Sequence, residues 1–221
     1  MQERQQDFYK TFLKQLEDEN RLACVNLALH VLEKGEIDIP ELYSEVLAPA
    51  LNSIGNEKHS QEIRIWKEHV RSSIVRTVIE NCFPYVMKER ESKGIPALTD
   101  KVIVLCPDGE THELGARMAA DFFALQGYDV VFIGGSTPKE EFLDVLDVLK
   151  PKYIAISVTN YYNLVAARKT IAAIRGKTPS GFRILAGGHA FHSSREMARS
   201  IGADDLIDSY EDICSLGKGA Q

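Results

Sequence analysis

The stretch Pro107-Asp108-Gly109-Glu110-Thr111-His112-Glu113-Leu114-Gly115 holds the densest chemistry in the chain. An imidazole stands two residues after one carboxylate and directly before another. That spacing makes His112 a candidate metal ligand through one ring nitrogen, with Glu110 or Glu113 accepting the proton of the other. The stretch is neither G-x-G-x-x-G nor a P-loop, so a nucleotide pyrophosphate is not its natural guest. A lone histidine in a loop is most often a polar surface residue, but two further segments accompany this one. Ser157-Val158-Thr159 closes one apolar run, and Gly187-Gly188-His189 closes the next. Small hydroxyls at one strand end and paired glycines at the next would leave a slot where no Cβ obstructs a long, flat guest. No Ser-His-Asp or paired-carboxylate arrangement stands out, so the chain is not expected to be an enzyme by itself. The four cysteines (Cys24, Cys82, Cys106, Cys214) lack C-x-x-C spacing, which argues against a zinc site and a disulfide framework.

The elements that must position these residues are legible from hydrophobic period. KVIVLC from Lys101, DVVFIG from Asp129, KYIAISVT from Lys152 and FRILAGG from Phe182 are short, nearly continuous apolar runs rich in β-branched residues. They read as strands buried on both faces, with a fifth short strand at Asp205–Ile207. Helical patterns lie between them, at Leu114–Leu125, Lys139–Leu149, Val165–Ile174 and Arg195–Ile201, and a closing helix starts at Tyr210. Alternation of this kind predicts an α/β domain over 101–221 with a doubly wound, Rossmann- or flavodoxin-like parallel sheet. The three candidate segments then fall at the carboxyl ends of strands, where such sheets bind ligands. Residues 1–92 carry helical period only and predict a four-helix-bundle-like unit, joined to the sheet domain by a linker over 93–100. Gly35 suits a helix C-cap and Pro40 the first turn of the next helix. Another helix is expected over roughly 62–80, with Ile63, Trp66, Val70, Ile74, Val75 and Val78 on its core-facing stripe.

Composition narrows the function classes. There are 26 Lys and Arg against 32 Asp and Glu, a net charge of -6 over 221 residues with no basic block. Direct binding to nucleic acid is therefore not expected. No apolar run is long enough for a membrane span, and the first twenty residues are too charged for a signal peptide, so a cytoplasmic protein is expected.

From about residue 100 to 218 the chain resembles the cobalamin-binding domain shared by methionine synthase, corrinoid methyl carriers and B12-dependent regulators. Their D-x-H-x-x-G, S-x-L and GG segments correspond to Glu110-x-His112-x-x-Gly115, Ser157-x-Thr159 and Gly187-Gly188. The resemblance implies that His112 is the lower axial ligand of cobalt, replacing the cofactor's own benzimidazole. The detached nucleotide tail would lie beside Ser157, Thr159, Gly187 and Gly188. Glu110, where methyl carriers have Asp, makes P-x-G-E-x-H-E-L-G similar to the phrase of light-responsive adenosylcobalamin regulators.

The helical part resembles the cap of those regulators through Glu33–Tyr43, Leu47–Leu51 and Ile54-Gly55. Of the regulators' W-x9-E-H pattern, Glu68 and His69 are present, while Lys58 stands at the Trp position and is followed by His59. Glu68 and His69 would wall the upper pocket, and His59 would become the upper cobalt ligand after light breaks the cobalt–carbon bond. A turn near Ser60-Gln61 would let His59 and His69 face one cavity. Trp66, three residues before His69, is expected in the core. The resemblance thus implies an adenosylcobalamin sensor, without its own DNA-binding part, acting through self-association or a protein partner. The alternative is a methyl-carrying corrinoid protein serving a methyltransferase and using methylcobalamin.

Overall fold

The sheet is the frame of the carboxyl-terminal half. In the computed structural model, which describes residues 2–59, 65–177, 181–191 and 193–217, its strands are β1 (Lys101–Pro107), β2 (Asp129–Thr137), β3 (Tyr153–Ser157), β4 (Arg183–Gly187) and β5 (Asp205–Ile207). All neighbouring pairs are parallel, in the order β2-β1-β3-β4-β5. The apolar runs form strands because both faces are covered. Ile103, Leu105, Ile154, Ile156 and Ile184 pack in one core layer, and Val102, Val104, Cys106, Tyr153 and Leu185 in the other. Chain order reverses between β1 and β3, so the loops that follow these two strands diverge and leave a crevice.

The crossover helices of this half are α6 (Leu114–Leu125), α7 (Lys139–Leu149), α8 (Leu164–Lys177) and α9 (Arg195–Ser200), with α10 (Tyr210–Leu216) closing the fold. Local signals set their starts. Ser194 caps α9 by accepting from the Met197 amide, and Ser209 with Asp212 forms a capping box on α10. A turn of 3-10 helix, Tyr161–Asn163, runs directly into α8, with Asn160 accepting from the Tyr162 amide at 3.1 Å.

The chain divides into two compact units, Met1–Glu89 and Arg90–Gln221. Among its described residues the first has helices and short turns, and no strand. It comprises α1 (Gln2–Glu17), α2 (Arg21–Glu33), the single turn α3 (Ile39–Glu41), a π-helical segment Leu42–Leu47, α4 (Ala48–His59) and the start of α5 (Ile65–Ser92). Gly35 closes α2 in a left-handed conformation, its N–H donating to Leu32 O, as its place after the last apolar residue suggested. Asp38 and Glu41 form a capping box around α3, with Pro40 in its first turn. The π segment replaces what period alone reads as ordinary helix, and it buries Leu42, Tyr43, Val46 and Leu47.

Two expectations in this unit are corrected. Helix α5 runs on through Pro84 to Ser92 instead of stopping near 80; Cys82 and Val86, buried on either side of the proline, hold it in the core across the lost hydrogen bond. Trp66 is not in the core. It lies in the first turn of α5, ahead of the buried stripe that begins at Arg71 and Ile74, and is 53% exposed with the Lys67 ammonium 5.6 Å from its ring. Val70 is likewise exposed, and Ile63 lies outside the described residues.

Candidate functional site

Glu110 organises the loop between β1 and α6. Its side chain is fully buried, at a point where the chain has just left the apolar end of β1. Its backbone is fixed first. The Glu110 N–H donates to Pro107 O at 2.9 Å, and Glu110 O accepts from the Ser136 N–H at 2.8 Å, at the irregular end of the β1–β2 pairing between Gly134 and Thr137. The carboxylate is then shared between two loops. Oε1 accepts the backbone N–H of His112 at 2.9 Å and lies 2.7 Å from His112 Nδ1. Oε2 accepts the N–H groups of Thr159 at 3.0 Å and Asn160 at 2.8 Å, and Asn163 Nδ2 at 3.0 Å.

The charge of this buried group follows from those donors. Burial alone would raise its pKa, but hydrogen bonds from the His112 ring, the Asn160 amide, the Asn163 side chain and the His112 amide outweigh it. Together they hold the carboxyl down at about 2. Glu110 is therefore an acceptor, so in the neutral imidazole the shared proton sits on Nδ1 and Nε2 carries the lone pair. The His112 side chain is 48% exposed while its partner carboxylate is wholly buried. The ring is oriented from beneath and presented outward.

The two carboxylates flanking His112 have different tasks. Glu110 orients the ring. Glu113, at the start of α6, accepts the Gly135 N–H at 2.5 Å and so ties α6 to β2. A side chain at Gly134 or Gly135 would crowd the Glu113 carboxylate, with a Cβ at 3.0 or 3.1 Å from Oε2.

The other predicted residues of the sheet unit gather at the same strand ends. Ser157 is the last residue of β3 and pairs in register with Gly187 of β4. Thr159 reaches the site through its backbone, donating to Glu110. The paired glycines have a cause internal to the fold. A Cβ on Gly187 would lie 2.8 Å from Ile207 O, and one on Gly188, at φ +98°, would lie 2.5 Å from Val158 O. Gly115 differs. In the second position of α6 its added Cβ would meet no described atom within 4 Å, so nothing described in the chain explains a helix-weakening glycine there.

His59, Glu68 and His69 belong to the helical unit. His59 ends α4, and its side chain, like residues 60–64 with the expected Ser60-Gln61 turn, lies outside the described residues. His69 Nε2 is 3.4 Å from Glu68 Oε2, with the imidazole largely exposed. Asn160, Asn163 and Ser136 were missed by reading the sequence. They sit 26 to 53 positions from Glu110, and no local pattern ties an Asn to so distant a carboxylate.

A model of the B12 binding domain matches residues 100–214, more than half of the chain. The chain belongs to the B12-binding domain family. Domains of this family hold the corrinoid as carriers or regulators and are not catalysts by themselves. The HTH-type transcriptional repressor CarH of Myxococcus xanthus is 25% identical over 173 residues, 77% of this chain and 55% of that protein. A corrinoid protein of Desulfitobacterium hafniense is 24% identical over 131 residues, 59% of this chain and 57% of that one. The chain thus spans a little over half the length of these curated relatives. Among solved structures, the monomethylamine corrinoid protein of Methanosarcina barkeri superposes with a TM-score of 0.82 at 14% identity, covering 98% of this chain and 99% of that one. A cobalamin-binding protein of Desulfitobacterium hafniense superposes at 0.52 with 15% identity, covering 96% and 98%. These likenesses are of fold.

The B12-binding domain's own residues fit the cofactor's needs. A corrin brings four equatorial nitrogens, so cobalt asks the protein for one axial donor rather than a cluster. The described residues offer one oriented imidazole, and no group of three or more His, Cys, Asp or Glu among them converges on a common point. Gly115 adds open space beside that ring's loop. No helix among the described residues is long and apolar enough to cross a membrane.

Proposed function

We propose that the chain is a cobalamin sensor that binds the cofactor base-off, with His112 as the lower axial ligand of cobalt. The observation that carries the reading is the Glu110–His112 pair: a buried, ionised carboxylate 2.7 Å from Nδ1, which leaves Nε2 as the donor nitrogen. A carboxylate behind a ligating imidazole fixes its tautomer and raises its basicity. The Ser157 and Thr159 segment, at the strand end beside the glycines, is the proposed seat of the detached nucleotide tail. Gly115 is proposed to give the corrin close approach. When bound, the cofactor supplies a cobalt–carbon bond that light or a partner can break; the residues of this chain hold and orient it.

The choice of sensor over carrier draws on Glu110 in P-x-G-E-x-H-E-L-G and on likeness to a repressor over 77% of the chain. Adenosylcobalamin is the proposed form, His59 the proposed upper ligand, and Glu68 and His69 the proposed upper-pocket residues. The output is a change in self-association or a protein partner, because a ligand switches a protein only by favouring one arrangement over another. The methyl-carrier reading is favoured by likeness to a corrinoid protein, over 59% of the chain.

Purified protein mixed with adenosylcobalamin or methylcobalamin in the dark separates these. A retained corrinoid with a visible spectrum altered from the free cofactor is expected, and His112→Ala, which removes the proposed ligand itself, should weaken binding. A protein that retains neither corrinoid after desalting would sink the cofactor reading. Illumination of the adenosyl complex should give a new stable spectrum that is lost in His59→Ala. Selective retention of methylcobalamin, with methyl transfer to a thiol, would instead establish the carrier.

A further inference from the structure

We propose that α2 is the seam of a homodimer, its outer apolar stripe packing antiparallel against the same helix of a second copy. The proposal deepens the self-association put forward above by naming its surface, and it stands on the helical unit alone.

Helix α2 is apolar over more of its circumference than its own unit covers. Cys24, Ala28 and Val31 form its buried stripe. Leu22, Val25, Leu29 and Leu32 form a second stripe, roughly a third of a turn round the helix. Leu22 is 70% exposed, and Val25, Leu29 and Leu32 are only half-buried. A single exposed leucine needs no explanation. Apolar residues spaced three, four and three apart are different, because they occupy the a and d positions of two heptads. That is the pattern by which one helix packs along another.

The order of the stripe selects the neighbour. It is symmetric about Leu27: Leu22 and Leu32 stand five positions before and after it, Val25 and Leu29 two before and after. When two such helices run antiparallel about a two-fold axis, Leu22 of each copy meets Leu32 of the other, and Val25 meets Leu29. An isologous interface requires this reciprocity, and here every apolar position of the stripe finds an apolar counterpart. The charges agree. Arg21, at the start of α2, is exposed and makes no ion pair among the described residues. Glu33, at its end, is exposed and accepts the Tyr85 O–H at 2.7 Å. The antiparallel pair brings Arg21 of each copy to the end that carries Glu33 of the other, whereas a parallel pair would set like charges together. Asp18, in the turn before α2, and Lys34, at its C-cap, are likewise exposed and opposite in sign. The helix dipoles are also opposed in this arrangement, which favours it further.

The test uses the protein without cofactor. Sedimentation equilibrium should show a concentration-dependent exchange between monomer and dimer. Leu22→Glu sets two carboxylates on the seam of each dimer and should weaken association by about 100-fold, with the circular dichroism of the monomer unchanged. Arg21→Glu replaces it if that variant does not fold. Helix direction is read in a Cys214→Ser background, the other three cysteines being buried. The reagent is a thiol-to-thiol linker of about 8–10 Å, the separation of packed helix axes. Leu22→Cys protein mixed with Leu32→Cys protein should cross-link. Leu22→Cys protein alone should not, since its two thiols would lie about 15 Å apart along the seam. Wild-type protein that stays monomeric, a dimer indifferent to Leu22→Glu, or Leu22→Cys protein that links to itself as readily as the mixture overturns the proposal. Cobalamin retention is measured separately, so a dimer that holds no corrinoid would overturn the cofactor reading and leave the α2 seam standing.

Discussion

Glu110 concentrates its energetics in a few hydrogen bonds to a buried charge, and its pH dependence follows from them. Its carboxyl titrates at about 2 in the folded protein against an ordinary 4.5. A folded pKa below the unfolded value means that the charged form is the one folding favours. The associated stability is fully present above the unfolded value, declines as pH falls from about 4.5, and is gone below about 2. Over that window it amounts to something on the order of 3 kcal/mol. Glu110→Gln, which turns an amide donor toward groups that already donate, should lower stability at neutral pH by about 1–3 kcal/mol and flatten the acid limb. Urea unfolding at a series of pH values measures both effects, and an unchanged acid limb would show that Glu110 does not carry it. At this scale the sequence was partly readable. The E-x-H-E spacing put two carboxylates beside an imidazole but could not say which one turns toward it. The choice depends on tertiary neighbours, since Gly135 captures Glu113 and the Thr159–Asn163 segment captures Glu110.

Glycines separate what the fold requires from what a guest requires, and substitution should give opposite signs. Gly188→Ala forces a left-handed residue to carry a Cβ 2.5 Å from a backbone oxygen that cannot move aside cheaply. It should destabilise the protein without cofactor by at least 1–3 kcal/mol, on the order of the strain stored at such positions. Gly115→Ala meets open space within a helix, so it should stabilise the cofactor-free protein by roughly 0.5–1 kcal/mol. If that space admits the corrin, the same change should weaken cobalamin binding. Thermal melts without cofactor and titrations with it read the two effects, and a Gly115→Ala protein that binds as well as wild type would leave the glycine without a role toward the cofactor. Elements with strong local signals were legible almost to their ends, as at Leu114–Leu125, Lys139–Leu149 and Asp205–Ile207. The failures share one cause. The π-helical segment, the passage of α5 through Pro84 and the exposure of Trp66 are all decided by what packs against a helix, which periodicity does not encode.

At the scale of the molecule there are two units of different architecture: a helical one and one built on a five-stranded parallel sheet that carries the B12-binding match. In the sequence, helical period gives way to alternating strands and helices near residue 100. The order β2-β1-β3-β4-β5 then explains why segments some fifty residues apart meet, since the loops after β1 and β3 flank the switch point. Everything proposed about function depends on whether His112, and not the cofactor's own benzimidazole, is the nitrogen below cobalt. The decisive measurement is electron paramagnetic resonance of the cobalt(II) form of cobalamin bound to protein labelled with nitrogen-15 histidine, the cofactor being unlabelled. Ligation by His112 predicts that the axial-nitrogen splitting of each cobalt line changes from a triplet to a doublet on labelling, and that it disappears in labelled His112→Ala. A triplet that persists in the labelled wild-type protein would mean that the benzimidazole remains bound, and would contradict the assignment of His112.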